Sequence, residues 1–204
     1  MSATQQRDLA GRLAPTEPAR ALSPARGIPD PWFASQALAW VARFAPESEF
    51  PNIIRESLRV SRNEVNPYRV VAPAAWAIRA IVERNHPEML PSVIPELLLR
   101  AEQIEILASR SEALFLLFQA IFPAGRKHWQ PVFASLRKAS TPLISWRQRR
   151  NLSDAIMIVH GEDQELALEI TNSLDDQKLK EKMERMLATA ESRLPRPFFW
   201  TTDA

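Results

Sequence analysis

Three prolines recur at intervals of 40 residues, and this period constrains the fold more than any other feature of the chain. Pro51, Pro91 and Pro131 stand in the segments FPNIIRESL, LPSVIPELL and QPVFASLRK. In each segment apolar residues follow the proline at helical spacing, and helix-ending signals recur in the same phase. A period of this length, built from pairs of helices, is typical of proteins whose helix hairpins stack on one another.

The whole chain has a helical pattern. Valine, isoleucine and threonine rarely alternate with polar residues, so no strand is predicted and the fold class is all-α. After the first helix, the predicted helices pair as antiparallel hairpins with short loops. A four-helix bundle is the alternative, but it does not explain the period. The nine predicted helices span about 31–45, 48–62, 66–85, 88–101, 105–122, 128–140, 144–160, 163–174 and 176–191.

The segment 89–121, MLPSVIPELLLRAEQIEILASRSEALFLLFQAI, resembles a HEAT-like repeat. Such repeats have a first helix of the form LLPxLxxLL, often bent at proline, and a second helix that opens with arginine and continues xxAxxAL. The units 46–86 and 125–161 are similar, the latter more weakly. The matching positions are Pro91, Leu97, Leu98, Arg110, Ala113 and Leu117, then Pro51, Leu58, Arg69, Ala72 and Ile78, then Pro131, Leu136 and Arg147.

The resemblance covers about residues 31–192 and implies a right-handed α-solenoid of about four HEAT-like helix hairpins plus an N-terminal half repeat. In such solenoids the second helices line the concave side. Pro95 is expected to bend its helix, because a proline inside a helix removes a hydrogen bond. The predicted organisation is a disordered or loosely attached leader at 1–30, the solenoid at 31–192 and an aromatic C-terminal tail at 193–204.

Composition argues against several classes of chemistry. The chain has no cysteine, which excludes disulfides, thiol catalysis and cysteine-based zinc sites. Its four glycines argue against a loop that cradles phosphate. The three histidines are expected at solvated helix ends, too far apart to share a metal. No pattern for nucleophilic or paired-carboxylate catalysis is recognisable, so the sequence predicts no enzyme, no metal and no cofactor.

The richest group of functional side chains lies in SWRQRRNLSD, residues 145–154. On a helix its arginines share one face with an aspartate and lie one turn from a tryptophan. Such a group is suited to binding phosphates or an acidic peptide, and an arginine of an earlier helix is expected to point the same way. The predicted binding residues are Arg79, Trp146, Arg147, Arg149, Arg150 and Asp154. Alternatively, Arg147 and Arg150 pair with nearby acids such as Asp154, Glu165 and Glu169.

The C-terminal tail RLPRPFFWTTDA carries three adjacent aromatic residues after two prolines. Phe198, Phe199 and Trp200 are expected to make the tail's contacts. They either fold back over the final hairpin or bind a partner or a second copy of the chain. Trp40 and Trp76, which stand in apolar helical stretches, are predicted core residues.

Taken together, the sequence predicts a non-catalytic module that binds another macromolecule, most simply a protein, through its second helices. An adaptor, an inhibitor and an immunity-type protein all fit. The alternative is a HEAT-like protein that binds nucleic acid through Arg147, Arg149 and Arg150 with Trp146. A third possibility is an enzyme similar to the alkylpurine DNA glycosylases, a HEAT-like family that uses tryptophan, arginine and aspartate in a concave groove. Without a signal peptide or an apolar segment of membrane-spanning length, the expected setting is cytoplasmic, away from membranes, as a monomer or weak homodimer.

Overall fold

The computed structural model describes residues 1–141, 144–189 and 193–199, and within these residues it contains helices and no strand. The prediction of an all-α fold is confirmed. Short 3-10 turns at Pro87–Met89 and Phe122–Ala124 precede α6 and α8. The helices of the described residues are α1 (Ala3–Leu13), α2 (Pro18–Arg26), α3 (Pro31–Ala42), α4 (Phe50–Arg62), α5 (Pro67–Glu83), α6 (Leu90–Glu102), α7 (Leu107–Ile121), α8 (Arg126–Ser140), α9 (Trp146–His160), α10 (Gln164–Asn172) and α11 (Gln177–Ala188).

Polar caps explain where many of these helices begin. The first backbone N–H groups of a helix have no partner within it, so a side-chain oxygen just before the helix stabilises its start. Proline at the first position adds a fixed φ at no hydrogen-bond cost, as in α3 and α5. The capping side chains are Ser2, Asp30, Asn66, Ser145, Asp163 and Asp176.

Four helices form a continuous row. In this second-helix row α3 packs on α5, α5 on α7 and α7 on α9. The first helices lie against it, each in contact with its neighbours along the chain: α4 with α3 and α5, α6 with α5 and α7, and α8 with α7 and α9. The row supplies about half of the buried apolar residues, and in α9 every residue from 151 to 160 is buried.

The recurring prolines do not occupy equivalent places. Pro51 and Pro91 are the second residues of α4 and α6, where the missing N–H is no loss. Pro131 is the sixth residue of α8, because that helix begins five residues before it. Pro95 also lies inside a helix, and α6 runs unbroken from Leu90 through it. The bend at Pro95 therefore stays a prediction.

The N-terminal 30 residues differ from their prediction as a disordered or loosely attached leader. They form α1 and α2, which pack on each other and on α3. Alanines, including Ala10 and Ala21, are fully buried in this contact. A Cβ added at Gly11 would lie only 2.9 Å from ring atoms of Trp40, so the α1 backbone rests directly on that indole. The prediction is wrong because it sought large apolar residues, whereas alanine and glycine make this interface by close approach.

Candidate functional site

The C-terminal tail lies across the second-helix row. Residues 193–199 have no helix or strand, and their contacts run in order from α9 through α7 to α5 and α3. We call the surface of α3, α5, α7 and α9 beneath these residues the tail-covered face. The expectation that the aromatic tail covers the final hairpin is wrong for Phe198 and Phe199, since both contact the opposite end of the row. Trp200 lies outside the described residues.

An ion pair fixes the start of the tail. The Arg193 guanidinium bonds the Asp154 carboxylate of α9 through Nη1, and the Arg193 backbone N–H donates to the Met157 carbonyl at 3.4 Å. Asp154 is only 6% exposed. A buried carboxylate needs a cation or hydrogen bonds to offset its lost hydration, and Arg193 supplies the cation although its own side chain is half-exposed.

A side-chain amide holds the middle of the tail. Gln119, buried on α7, accepts a hydrogen bond from the Arg196 backbone N–H at 3.1 Å through Oε1. This contact recognises the backbone, so it does not depend on the side chain at that tail position. Gln119 stands in the otherwise apolar run LFLLFQAIF, where a lone polar residue is the sequence signal that our predictions did not use.

Aromatic stacking holds the end of the described tail. Phe198 and Phe199 are buried, with ring centroids 5.8 and 5.2 Å from that of Trp76 on α5. The Phe199 ring also lies 5.8 Å from that of Trp40 on α3 and 4.1 Å below the Arg43 guanidinium. Edge-to-face rings and a cation over a ring both favour this arrangement. Trp40 is confirmed as a core residue, whereas Trp76 is half-buried.

The tail leaves space on the face it covers. A cavity of about 230 Å³ lies beneath its Arg196–Phe198 end, between Trp76, Leu116 and Arg150. A second, of about 400 Å³, lies between Phe115, Asp154 and the Arg193–Leu194 end. Leu194 itself is 85% exposed and contributes little to the contact. The face is therefore larger than the segment that occupies it.

The predicted arginine patch is only partly assembled. Trp146 is 64% exposed, and the guanidinium carbons of Arg147 and Arg150 lie 5.7 and 5.1 Å from its ring centroid. Arg147 comes within 4.0 Å of Glu112, and Arg149 Nη2 lies 3.2 Å from Asp176 Oδ2. These ion pairs are not the expected ones with Asp154, Glu165 and Glu169.

Three of the predicted site residues differ in their surroundings. Arg150 forms no ion pair with the described residues; its Nη2 donates to Asn151 at 3.4 Å, and its buried Nε lacks an acceptor there. Asp154 bonds Arg193 and so does not join Arg147 and Arg150 around Trp146. Arg79 Nε donates to Glu83 at 2.7 Å, and Glu83 also accepts from Arg43 Nε at 2.6 Å. Through this shared carboxylate, Arg79 belongs to the aromatic end of the tail-covered face.

Several side chains that do not contact the tail have shifted pKa values. The Leu179 backbone N–H and the nearby Arg149 lower the pKa of Asp176, which caps α11. Burial raises the pKa of Tyr68, and burial together with Lys127 lowers that of His128. Within the described residues no group of three or more metal-ligating side chains occurs. None of the helices described there is long and apolar enough to cross a membrane.

Comparison with known proteins gives no relative to reason from. No protein-family model, no curated protein and no solved structure matches the chain. Any functional conclusion therefore depends on the geometry of the tail-covered face.

Proposed function

We propose that this chain is a non-catalytic protein-binding module whose binding surface is the tail-covered face. The observation that carries the proposal is the tail itself. An extended segment lies there with one ion pair to a buried carboxylate, one hydrogen bond from its backbone and two buried aromatic rings. Hydrogen bonds to the backbone combined with separate side-chain contacts are also how sheet edges bind extended peptides. A protein of the adaptor, inhibitor or immunity type would use such a surface.

The architecture we infer for this module is the right-handed, HEAT-like α-solenoid. The hairpins α4–α5, α6–α7, α8–α9 and α10–α11 would be its repeats, and α3 its half repeat. Consecutive packing along the second-helix row supports this. The opening arginines add support: Arg69 bonds Glu64 before α5, and Arg110 bonds the Ile104 carbonyl before α7. Both arginines thereby fix the turn inside their own hairpin.

Photocrosslinking tests the proposal. A photoreactive amino acid replaces Leu116, which lines the smaller cavity of the face, and in a matched variant replaces Leu99, an exposed leucine of α6. In the native host we expect a discrete protein adduct from position 116 and none of that mass from position 99, with or without nuclease. Equal adducts from both positions, or adducts that nuclease removes, would contradict a protein-binding role for this face.

Nucleic-acid binding is a second candidate with one observation in its favour. Arg150 has no carboxylate partner in the described part of the chain and, with Arg147, stacks on the exposed Trp146. Against it, Arg149 and Arg147 already lie beside Asp176 and Glu112. If phosphates bind there, affinity for a single-stranded oligonucleotide falls steeply with salt, and Arg147→Ala plus Arg150→Ala flattens that slope. We expect no such salt-dependent binding.

A further inference from the structure

The tail shows which chemistry the face accepts. Its contacts fall into three steps: a cation at Arg193, a backbone N–H at Arg196 and an aromatic pair at Phe198 and Phe199. Each step meets a different helix or pair of helices of the row. The spacing between steps is three residues and then two. Because the residues in between contribute little, as exposed Leu194 illustrates, the pattern and not the full sequence is what the face reads.

We propose that the partner of this face is an extended protein segment with the same pattern, a basic residue followed five or six residues later by adjacent aromatic residues, and that the tail is its built-in competitor. This inference rests on the proposed function and names both the partner's chemistry and its regulation. The partner binds only when the tail leaves the face, so its affinity must be high enough to displace the tail.

Removal of the tail exposes groups that require replacement. Asp154 is buried, and among the described residues Arg193 alone is close enough to form an ion pair with it. Arg150 lies one turn before Asp154 but is directed to Trp146 and Asn151. When the tail leaves, the Asp154 carboxylate loses its cation partner at a site otherwise surrounded by protein. An incoming segment that brings a cation to this position restores the ion pair.

The aromatic end imposes the same kind of demand. Without Phe198 and Phe199, Trp76 loses two ring contacts, and the Arg43 guanidinium loses the nearer of the two rings over which it lies. An aromatic pair in the incoming segment restores both. The unfilled cavities of about 230 and 400 Å³ give such a segment room for larger side chains than the tail has. A partner can thus exceed the tail in contact area while using the same three steps.

Tethering explains why the tail can compete although its contacts are few. Four residues, 189–192, separate α11 from Arg193, so the tail remains close to the face when it detaches. A short tether of this kind gives effective concentrations of order millimolar. A free segment with the same contacts therefore binds the intact protein far more weakly than a protein whose tail is released.

Calorimetric titration with the free peptide RLPRPFF, residues 193–199, tests this inference on full-length protein. The released variant is Arg193→Ser/Phe198→Ser/Phe199→Ser, and the matched control is Leu194→Ser, which changes an exposed tail residue. We expect the released variant to bind the peptide about 100-fold more tightly than wild type, by the tether argument. The control should behave as wild type. If circular dichroism shows lost helix in the released variant, Arg193→Glu alone replaces it, with a smaller gain.

Peptide variants distinguish recognition of the basic and aromatic pattern from nonspecific binding. In the peptide, Arg193→Glu or Phe198→Ser/Phe199→Ser should weaken binding at least about tenfold, the scale of one lost charge pair or ring contact. The Leu194→Ser peptide should bind unchanged. The inference is overturned if the released variant does not bind RLPRPFF, or if all four peptides bind alike. It is also overturned if wild type is a dimer that the released variant abolishes, since the tail would then occupy a second copy.

The peptide titration and the crosslinking experiment can fail independently. A protein adduct at position 116 without peptide binding would support the proposed function but contradict the inference about which segment the face binds. Peptide binding without any adduct would mean that the face recognises the tail alone, which would remove the proposed function.

Discussion

The two ends of the chain meet the same side chain in different ways. Trp40 has the α1 backbone at Gly11 against its ring, and the Phe199 ring lies 5.8 Å away. The N-terminal end is helical and docks through small residues over two helices. The C-terminal end is extended and docks through a few large side chains. This difference fits our proposal, in which the first end is part of the fold and the second is a replaceable occupant of a binding surface.

The largest effect should separate two phenylalanines of equal burial. Phe133 in α8 and Phe198 in the tail are each 6% exposed. Phe133→Ala leaves a cavity in the helical core and should cost about 3–5 kcal/mol. Phe198→Ala can cost no more than the tail's docking free energy, since the tail then detaches. We expect less than about 2 kcal/mol, because burial is offset by the entropy of ordering the tail.

Urea unfolding of both variants measures this difference. Equal losses of about 4 kcal/mol would show that the tail is as integral as α8 and would break the distinction between the two ends.

A substitution at the N-terminal end should destabilise the whole fold, unlike a substitution in the tail. Gly11→Leu places side-chain atoms where a Cβ alone would already lie 2.9 Å from the Trp40 ring. Overpacking of this kind should cost about 2–3 kcal/mol, measured as a lower midpoint of thermal unfolding. The control Gly27→Ala meets no atom closer than 3.4 Å and should change stability by less than about 1 kcal/mol. If Gly11→Leu is as mild as its control, the leader is detachable after all.

A substitution in α11, the last helix before the tail, tests whether the tail docks independently of the helix that precedes it. Asp176 accepts the Leu179 N–H and caps this helix. Asp176→Ala should cost about 1 kcal/mol, the usual value of a lost cap. Tail docking should persist, since its contacts lie on other helices; hydrogen exchange of the tail amides reports this. Loss of tail protection in Asp176→Ala would mean that α11 positions the tail.

The charge of Asp176 adds a pH-dependent term. Its pKa is lowered in the folded state by the Leu179 N–H and Arg149, so the ionised form contributes stability at neutral pH. That contribution is complete above the unfolded-state pKa and is lost as pH falls through the lowered folded-state value. Asp176→Asn keeps a cap but not the charge. Wild type should exceed it in stability near pH 7, and the difference should vanish below the folded-state pKa; a constant difference across pH would contradict this.

The smallest effect concerns the ion pair beside that cap. Arg149 and Asp176 lie 3.2 Å apart with Arg149 half-exposed, so solvent screens the pair. A double-mutant cycle with Arg149→Ala and Asp176→Asn should give a coupling of about 0.2–1 kcal/mol. A larger coupling would show that this surface carries more of the structure than its exposure suggests.

Helical period was enough to predict the regular part of the fold. The nine predicted helices correspond to α3–α11, with ends shifted by a few residues, because apolar spacing and caps are local signals. The missed helices α1 and α2 have Leu9, Leu13 and Leu22 as their large apolar residues, too few to give a strong apolar period. The position of the tail was not predictable from local pattern. Arg193 and Asp154 are 39 residues apart in sequence, and Arg196 and Gln119 are 77 apart.

The contacts of the predicted site residues show the same limit of local pattern. The side chains on α9 could be assigned to one face from their spacing, but which partner each one meets depends on the tail and on α7. Arg150 and Asp154 share a helix face, yet one lies over Trp146 and the other bonds Arg193. Helical spacing determines which side chains share a face, whereas the packing of distant segments determines which of them form pairs.

Amide exchange at Arg196, followed by NMR in wild type and in Gln119→Leu, tests the central claim most directly. The Arg196 N–H donates to buried Gln119 at 3.1 Å, so the amide should exchange much more slowly than in a free peptide. Gln119→Leu removes the acceptor and should return exchange toward the free rate while the helices stay intact. If the Arg196 amide of wild type exchanges as fast as in free RLPRPFF, the tail does not occupy the second-helix row, and the account of this face is wrong.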